Sequence, residues 1–230
     1  MNLSPIFLEP RSAPGFPRPL GYPPEGLVAV GGDLSPERLL LAYEMGIFPW
    51  YSQGELPLWW SPDPRALLEP ENLHISRSMR RRLEGGGFEL SWNRAFPDVI
   101  RECACERADG TWIHAEVIDA FVELHGLGHA HSLEVWMEGK LAGGIYGVQR
   151  GAMFAAESKF HRRRDMSKVA LIACLRTLAR AGLRIFDVQH NSSHLKSLGV
   201  TDLRRKDFLA SLEQALETRP DWKNLEPDWR

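Results

Sequence analysis

The chain is 230 residues long, 43% hydrophobic and 25% charged, with a formal net charge of −2. That size suits one large domain or two unequal ones sharing a core, and the balance is that of an ordinary globular protein, which excludes a uniformly basic nucleic-acid binder. No apolar run approaches the ~20 residues that span a bilayer. Met1-Asn2-Leu3-Ser4-Pro5 lacks the regions of a signal peptide, and Cys103, Cys105 and Cys174 form neither a disulfide framework nor a zinc pattern, so the expected compartment is the cytoplasm.

Residues 1–35 are rich in Pro and Gly and read as a wrapped arm. Ser35-Pro36-Glu37 opens a helix that closes at Gly46. From Gly46 to Arg65, three tryptophans, a Tyr and a Phe are held among prolines, a poor helix and a poor central strand. Such a segment either plugs a small core or walls a site for a flat ligand, because a stiff loop loses little entropy when a ring stacks on it. Ser76 caps a second helix that Gly85-Gly86-Gly87 stops. Phe88 to Trp92 reads as a strand, and helices are expected over about 94–104 and 115–127, the latter with Val117, Ile118, Phe121, Val122 and His125 along one face. A meander follows: His131 to Glu138, Leu141 to Gln149 and Ala152 to Phe160, joined by turns at Glu138-Gly139 and Arg150-Gly151. A helix from about Ser167 to Ala181, an apolar strand from Leu183 to Gln189 and a last helix near 206–217 complete the chain. Strand hairpins followed by helix, strand and helix is the layout of the N-acetyltransferase fold, giving an α+β class with a mixed, mostly antiparallel sheet.

Three features carry possible chemistry. Gly143-Gly144-Ile145-Tyr146-Gly147 is glycine-rich for a strand, which marks either the close approach of a ligand or a bulge. Alternation then places Phe154, Ala156 and Ser158 on one face and Met153, Ala155 and Glu157 on the other. Asp187 and Gln189 stand two apart on an apolar strand, so both point one way, and burying them requires partners for each. Basic residues gather in three clumps: Arg77, Arg80, Arg81 and Arg82; Arg162, Arg163, Arg164 and Lys168; Arg204, Arg205 and Lys206. Charge runs are usually solvated faces, yet clumps in a near-neutral chain suit a polyanion held at a local patch. His125, His129 and His131 lack an acidic ligand at fitting spacing for a metal, and His194 suits a loop or helix cap. No nucleophile elbow, phosphate loop or dinucleotide fingerprint is present.

Several runs match a known family. Leu27-Val28-Ala29-Val30-Gly31-Gly32-Asp33-Leu34-Ser35, Gly46-Ile47-Phe48-Pro49-Trp50, Trp59-Trp60-Ser61-Pro62-Asp63-Pro64-Arg65 and His74-Ile75-Ser76-Arg77-Ser78 resemble leucyl/phenylalanyl-tRNA–protein transferases. So do Gly110-Thr111-Trp112-Ile113, Gly128-His129-Ala130-His131-Ser132 with Glu134-Val135-Trp136, and Gly143 to Gly147, in collinear order over about residues 25 to 210. The resemblance implies a small N-terminal domain over 1–64 and an acyltransferase-like domain over 65–230. It implies transfer of Leu or Phe, less often Met, from aminoacyl-tRNA to the α-amine of proteins with N-terminal Arg or Lys, marking them for degradation. By the same likeness Trp50 and Trp112 hold the terminal adenosine and Ile145 and Phe154 line the side-chain pocket. Glu157 and Asp187 bind the acceptor, Asp187 and Gln189 are catalytic, and Arg77, Arg80, Arg81 and Arg82 bind tRNA. A monomer without cofactor, metal, DNA or membrane partner is expected. Two positions depart from the pattern. Ile145 stands where the best-known member has the more pliant Met, which bears on the balance between Leu and Phe, and the segment around His190-Asn191-Ser192 diverges.

The donor is an activated ester, so the enzyme's chief task is to hold two partners together, and orientation alone can remove ~7–11 kcal/mol of barrier. Stacking of the terminal adenine contributes ~1–3 kcal/mol. The attacking α-amine, with an ordinary pKa near ~8, must lose a proton; Gln189 is too weak a base and is expected to orient the amine, with Asp187 polarising it or pairing with the acceptor's cationic end. A carboxylate, water or the ribose hydroxyl each qualifies as final proton acceptor. Two readings compete. A coenzyme-A-dependent N-acetyltransferase needs a Gly-rich loop before its central helix, where this chain has Phe160-His161-Arg162-Arg163-Arg164-Asp165-Met166. An RNA-binding module would use the same arginines and tryptophans without transfer.

Overall fold

The structure, a computed structural model, describes residues 3–105 and 111–230. Two strands of a small sheet fall within residues 1–35, the stretch read as a wrapped arm. Ile6–Leu8 (β1), Leu27–Gly31 (β2), Phe48–Pro49 (β3) and Leu58–Trp60 (β4) form a four-stranded sheet in the order β1-β2-β4-β3. The Pro-rich aromatic segment therefore contributes two strands, one of them internal. The reason lies in where its prolines fall: Pro49 sits in the edge strand, which needs fewer backbone donors, and Pro57 precedes β4. Trp59, on that internal strand, is fully buried and donates its indole N–H to the Gly31 carbonyl at 2.9 Å.

The larger sheet contains Arg65–Leu67 (β5), Glu89–Trp92 (β6), Ala130–Met137 (β7), Lys140–Arg150 (β8), Met153–His161 (β9), Ile185–Gln189 (β10) and Thr201–Leu203 (β11), in the order β11-β5-β10-β9-β8-β7-β6. Every neighbouring pair is antiparallel except β9 and β10. The helices are Pro36–Glu44 (α1), Arg77–Glu84 (α2), Phe96–Cys105 (α3), Ala115–Gly126 (α4), Met166–Arg180 (α5), Ser193–Lys196 (α6) and Arg205–Leu216 (α7). This is the α+β arrangement, with a mixed, mostly antiparallel sheet flanked by helices, that the order of elements predicts. Local signals set the boundaries: Ser76 caps α2, its Oγ accepting from the Met79 N–H at 3.2 Å. The strands β5 and β11, the short helix α6 and the 3-10 turn at Pro70–Asn72 have no counterpart in the sequence reading.

Two apolar cores flank the large sheet. One joins α5 to Ile145, Phe154 and Phe186. The other joins α3, α4, Tyr146 and Phe160 to α1 and the small sheet. Between them the register of β8 and β9 slips by one residue: Tyr146 pairs with Ser158, whereas Gly147 pairs with Ala156, leaving Glu157 as the extra residue of a β-bulge. Simple alternation is thereby overturned, because Ser158 shares a face with Tyr146 and not with Phe154. Gly147 makes room for the arrangement, since a Cβ there would lie 2.6 Å from the Phe154 ring. Among the described residues no helix is long and apolar enough to cross a membrane, and no group of three or more His, Cys, Asp or Glu side chains is placed to hold a metal ion.

Candidate active site

β9 and β10 pair in parallel over only three positions, Met153 with Ile185, Phe154 with Phe186 and Ala155 with Asp187. Beyond them both strands become irregular. On β9 the bulge falls at Glu157; on β10 the register against β5 shifts between Asp187 and Gln189, and Gln189 has a φ of 61°, in the left-handed region that residues with side chains rarely occupy. Across the opening the Gln189 side-chain amide donates to Glu157 Oε1 at 2.8 Å. This pair borders two cavities. One, of about 240 Å³, has walls of Phe48, Pro49, Trp50, Trp112 and His190. The other, of about 140 Å³, is lined by Ile145, Leu171, Val188 and Leu195 with Ser158 and Lys159. An aromatic space and a mainly aliphatic one thus meet at one carboxyl–amide contact.

The aromatic segment divides between core and site. Phe48 and Tyr51 are buried, whereas Trp50 is 46% exposed. Trp50 is fixed from behind, its carbonyl accepting the Trp60 indole N–H at 2.8 Å, and its ring lies 5.6 Å from that of His190. Trp112 reaches the same cavity while packing edge-on against Phe121. In the run Gly110-Thr111-Trp112-Ile113, Gly110 lies outside the described residues.

Glu157 and Asp187 have different surroundings. Part of Glu157 is accessible, yet protein surrounds its carboxyl closely enough that desolvation, helped by nearby Asp187, raises its pKa to about 8; Tyr43, Arg65 and Gln189 offset this only in part. Burial first, and then Glu157, holds the Tyr43 phenol well above its ordinary value. Asp187 is fully buried, with both oxygens taken by Arg65 at 2.8 and 2.6 Å, and Oδ1 also accepts the Gln189 backbone N–H at 2.9 Å. It borders neither cavity. The expectation that Asp187 pairs with the acceptor's cation is corrected on this geometry: a cation of the chain itself already occupies that place.

Ile145 and Phe154 also part company. Ile145 lines the aliphatic cavity. Phe154 lies in the core behind it, 5.4 Å from the Phe186 ring and 6.4 Å from the Trp222 ring, and lines neither space. In the first basic clump Arg77, Arg80 and Arg81 are exposed on α2. Arg82 instead turns back to donate to the Gly86 carbonyl at 2.7 Å and lies against the Phe88 ring, closing its own helix. The third clump is not a free patch, since buried Arg205 donates to the Ser61 and Tyr22 carbonyls and Arg204 pairs with Asp207. His131 bridges Asn93 and Gln149, and burial lowers its pKa to about 4, the neutral state a core histidine needs.

Sequence reasoning did not single out Arg65, Tyr43, Leu171, Val188, Leu195 or His190. Arg65 lay within a conspicuous run, but its partner is 122 residues away. Only His190, directly after Gln189 in a divergent segment, offered a local signal.

Two family models match the chain, the leucyl/phenylalanyl-tRNA protein transferase N-terminal domain over residues 32–63 and leucyl/phenylalanyl-tRNA protein transferase over residues 67–213. The leucyl/phenylalanyl-tRNA–protein transferase of Yersinia enterocolitica is 53% identical over 191 residues, 83% of this chain and 81% of that protein. That of Anaeromyxobacter sp. is 50% identical over 215 residues, 92% of this chain and 91% of its own length. Among solved structures, L-PGS from Bacillus licheniformis aligns with 13% identity and a TM-score of 0.41, covering 70% of this chain and 52% of that one. The chain belongs to the leucyl/phenylalanyl-tRNA protein transferase family and is an aminoacyltransferase.

Proposed function

We propose that the protein moves Leu or Phe, less often Met, from aminoacyl-tRNA to the α-amine of cytoplasmic proteins that begin with Arg or Lys, and so marks them for degradation. The observation that carries this reading is the meeting of two unlike cavities at Glu157 and Gln189. An aminoacyl-adenosine has the same two-part character. Its adenine suits the space between Trp50 and Trp112, where stacking contributes ~1–3 kcal/mol. Its Leu or Phe side chain suits the space beside Ile145, Leu171, Val188 and Leu195. The ester joining them then lies at the carboxyl–amide pair. Exposed Arg77, Arg80 and Arg81 hold the tRNA backbone, with salt-sensitive affinity.

The roles follow from position. Gln189 orients the incoming amine, and Glu157 binds the acceptor, its proton more readily shed once a cation stands beside it. Asp187 acts on Gln189 and not directly on substrate. Phe154 supports the pocket wall from behind. The amine starts as an ammonium and loses two protons as the amide forms; one protonates the departing ribose oxygen and the other leaves through a nearby acceptor. No redox change or added group is needed, since the ester bond already carries the driving force. The protein acts as a monomer, with residues 1–64 supplying Trp50 and residues 65–230 supplying the carboxyl–amide pair.

The test is incubation with radiolabelled leucyl-tRNA and two forms of one protein, beginning with Arg or with Ser. Label should enter only the Arg form. A folded protein that binds leucyl-tRNA but labels neither form, or that instead acetylates the acceptor from acetyl-CoA, would sink the reading.

A further inference from the structure

Arg65 opens β5 and is only 1% exposed, with the Phe48 and Phe208 rings 4.8 and 4.6 Å from its guanidinium. Its Nε and Nη2 donate to the two oxygens of Asp187 at 2.8 and 2.6 Å, and its Nη1 donates to the Gly46 carbonyl at 2.9 Å. The fork thus joins the turn after α1, β3, β10 and α7. A buried ion pair is a poor device for stability, because desolvating both charges cancels much of their attraction, and apolar replacements of similar volume are often neutral or better. A planar fork on a carboxylate does supply orientation.

Asp187 passes that orientation on. The oxygen held by Arg65 Nε also accepts the backbone N–H of Gln189 at 2.9 Å. An acceptor is needed there, because the left-handed backbone at Gln189 persists only where its surroundings over-determine it. From this backbone the Gln189 amide reaches Glu157. Arg65 itself lines neither cavity.

We propose that Arg65 is a positioning residue: through Asp187 its guanidinium sets the backbone of Gln189 and so aims the Gln189 amide at the junction of the two cavities. The inference rests on the reading of that junction as the place of transfer. Its lever is geometric, and a displacement of about 1 Å at a reacting centre is enough to cost ~10²-fold in rate.

The test measures kcat and KM for leucyl-tRNA with an Arg-initiated peptide, alongside melting curves, for the wild type, Arg65→Lys, Gln189→Ala and the double variant. Lys keeps the charge and loses the fork. Arg65→Lys should lower kcat about 10–100-fold and leave KM for leucyl-tRNA within about threefold. It should add nothing to Gln189→Ala, since the route through Gln189 is already cut. If Arg65→Lys lowers only the melting temperature, with kcat unchanged well below it, or if its effect multiplies with that of Gln189→Ala, the proposal fails. Should Arg65→Lys not fold, the isosteric Asp187→Asn takes its place in the same cycle, and independent effects again overturn the idea. A wild-type protein that binds leucyl-tRNA and transfers nothing defeats the transfer reading and the proposal together, whereas an active wild type with independent effects defeats the role of Arg65 alone.

Discussion

β9 and β10 each carry a carboxylate close to the same opening, and the two are used in opposite ways. Asp187 is enclosed, forked by Arg65 and committed to a backbone N–H; Glu157 borders both cavities with an amide and a phenol for neighbours. The first is bound into the framework, and the second is left responsive to whatever enters. Chemical kind alone did not distinguish them; their neighbours did, and those arrive from β5 and α1, far off in sequence.

The sharpest way to break this comparison is to remove each carboxylate in turn. Asp187→Leu should cost ~3–5 kcal/mol in denaturant unfolding, because it strands the buried Arg65 charge, whereas Glu157→Gln should not destabilise the protein at pH 7. Equal losses would erase the distinction. A parallel contrast holds among the aromatics. Trp59→Ala, emptying a fully buried site, should destabilise by ~3–5 kcal/mol, while exposed Trp50→Ala should keep the melting temperature and raise KM for leucyl-tRNA by the equivalent of ~1–3 kcal/mol of stacking.

The responsive carboxyl should also show itself through pH. The folded pKa of Glu157 stands near 8, above its ordinary value of 4.5. The folded state therefore holds this proton more tightly than the unfolded one, and the stability it confers is lost as pH rises from about 4.5 to about 8. Glu157→Gln has no such loss, so the variant should gain relative to the wild type across that window and keep the full gain above it; unfolding series at pH 5, 7 and 9 measure this. A gap that narrows with rising pH would reverse the sign and refute the assignment. The smallest expected effect lies on α2. Arg77→Ala and Arg81→Ala should each reduce the log–log salt slope of tRNA binding by ~0.7–0.9, whereas Arg82→Ala should affect the helix end and leave the slope in place.

How much of this was legible in advance depends on the range over which each signal acts. Ser76 and the Gly85–Gly87 stop mark α2 within a few residues of itself, and the apolar periodicity of α5 is equally local. The strands β3 and β5 span two and three residues and exist because distant partners pair with them, so no periodicity of their own announces them. Trp50, Trp112 and Ile145 line the two cavities, which is geometry that residue type and local spacing alone do not supply. Phe154, read as a pocket residue, lies in the core, and Arg82, read as one of the tRNA-binding arginines, closes its own helix; sequence spacing displays neither the packing around Phe186 and Trp222 nor a helix end that needs a donor.

The left-handed backbone of Gln189 has a cost outside the chemistry. Such a conformation in a residue with a side chain stores ~1–3 kcal/mol of strain, and glycine would relieve much of it. Gln189→Gly would then yield a protein at least as resistant to unfolding and yet deprived of its amide. Selection for thermal hardiness alone would drift toward that substitution, so a stabilised enzyme from this scaffold has to be screened for transfer at every round, with position 189 held fixed.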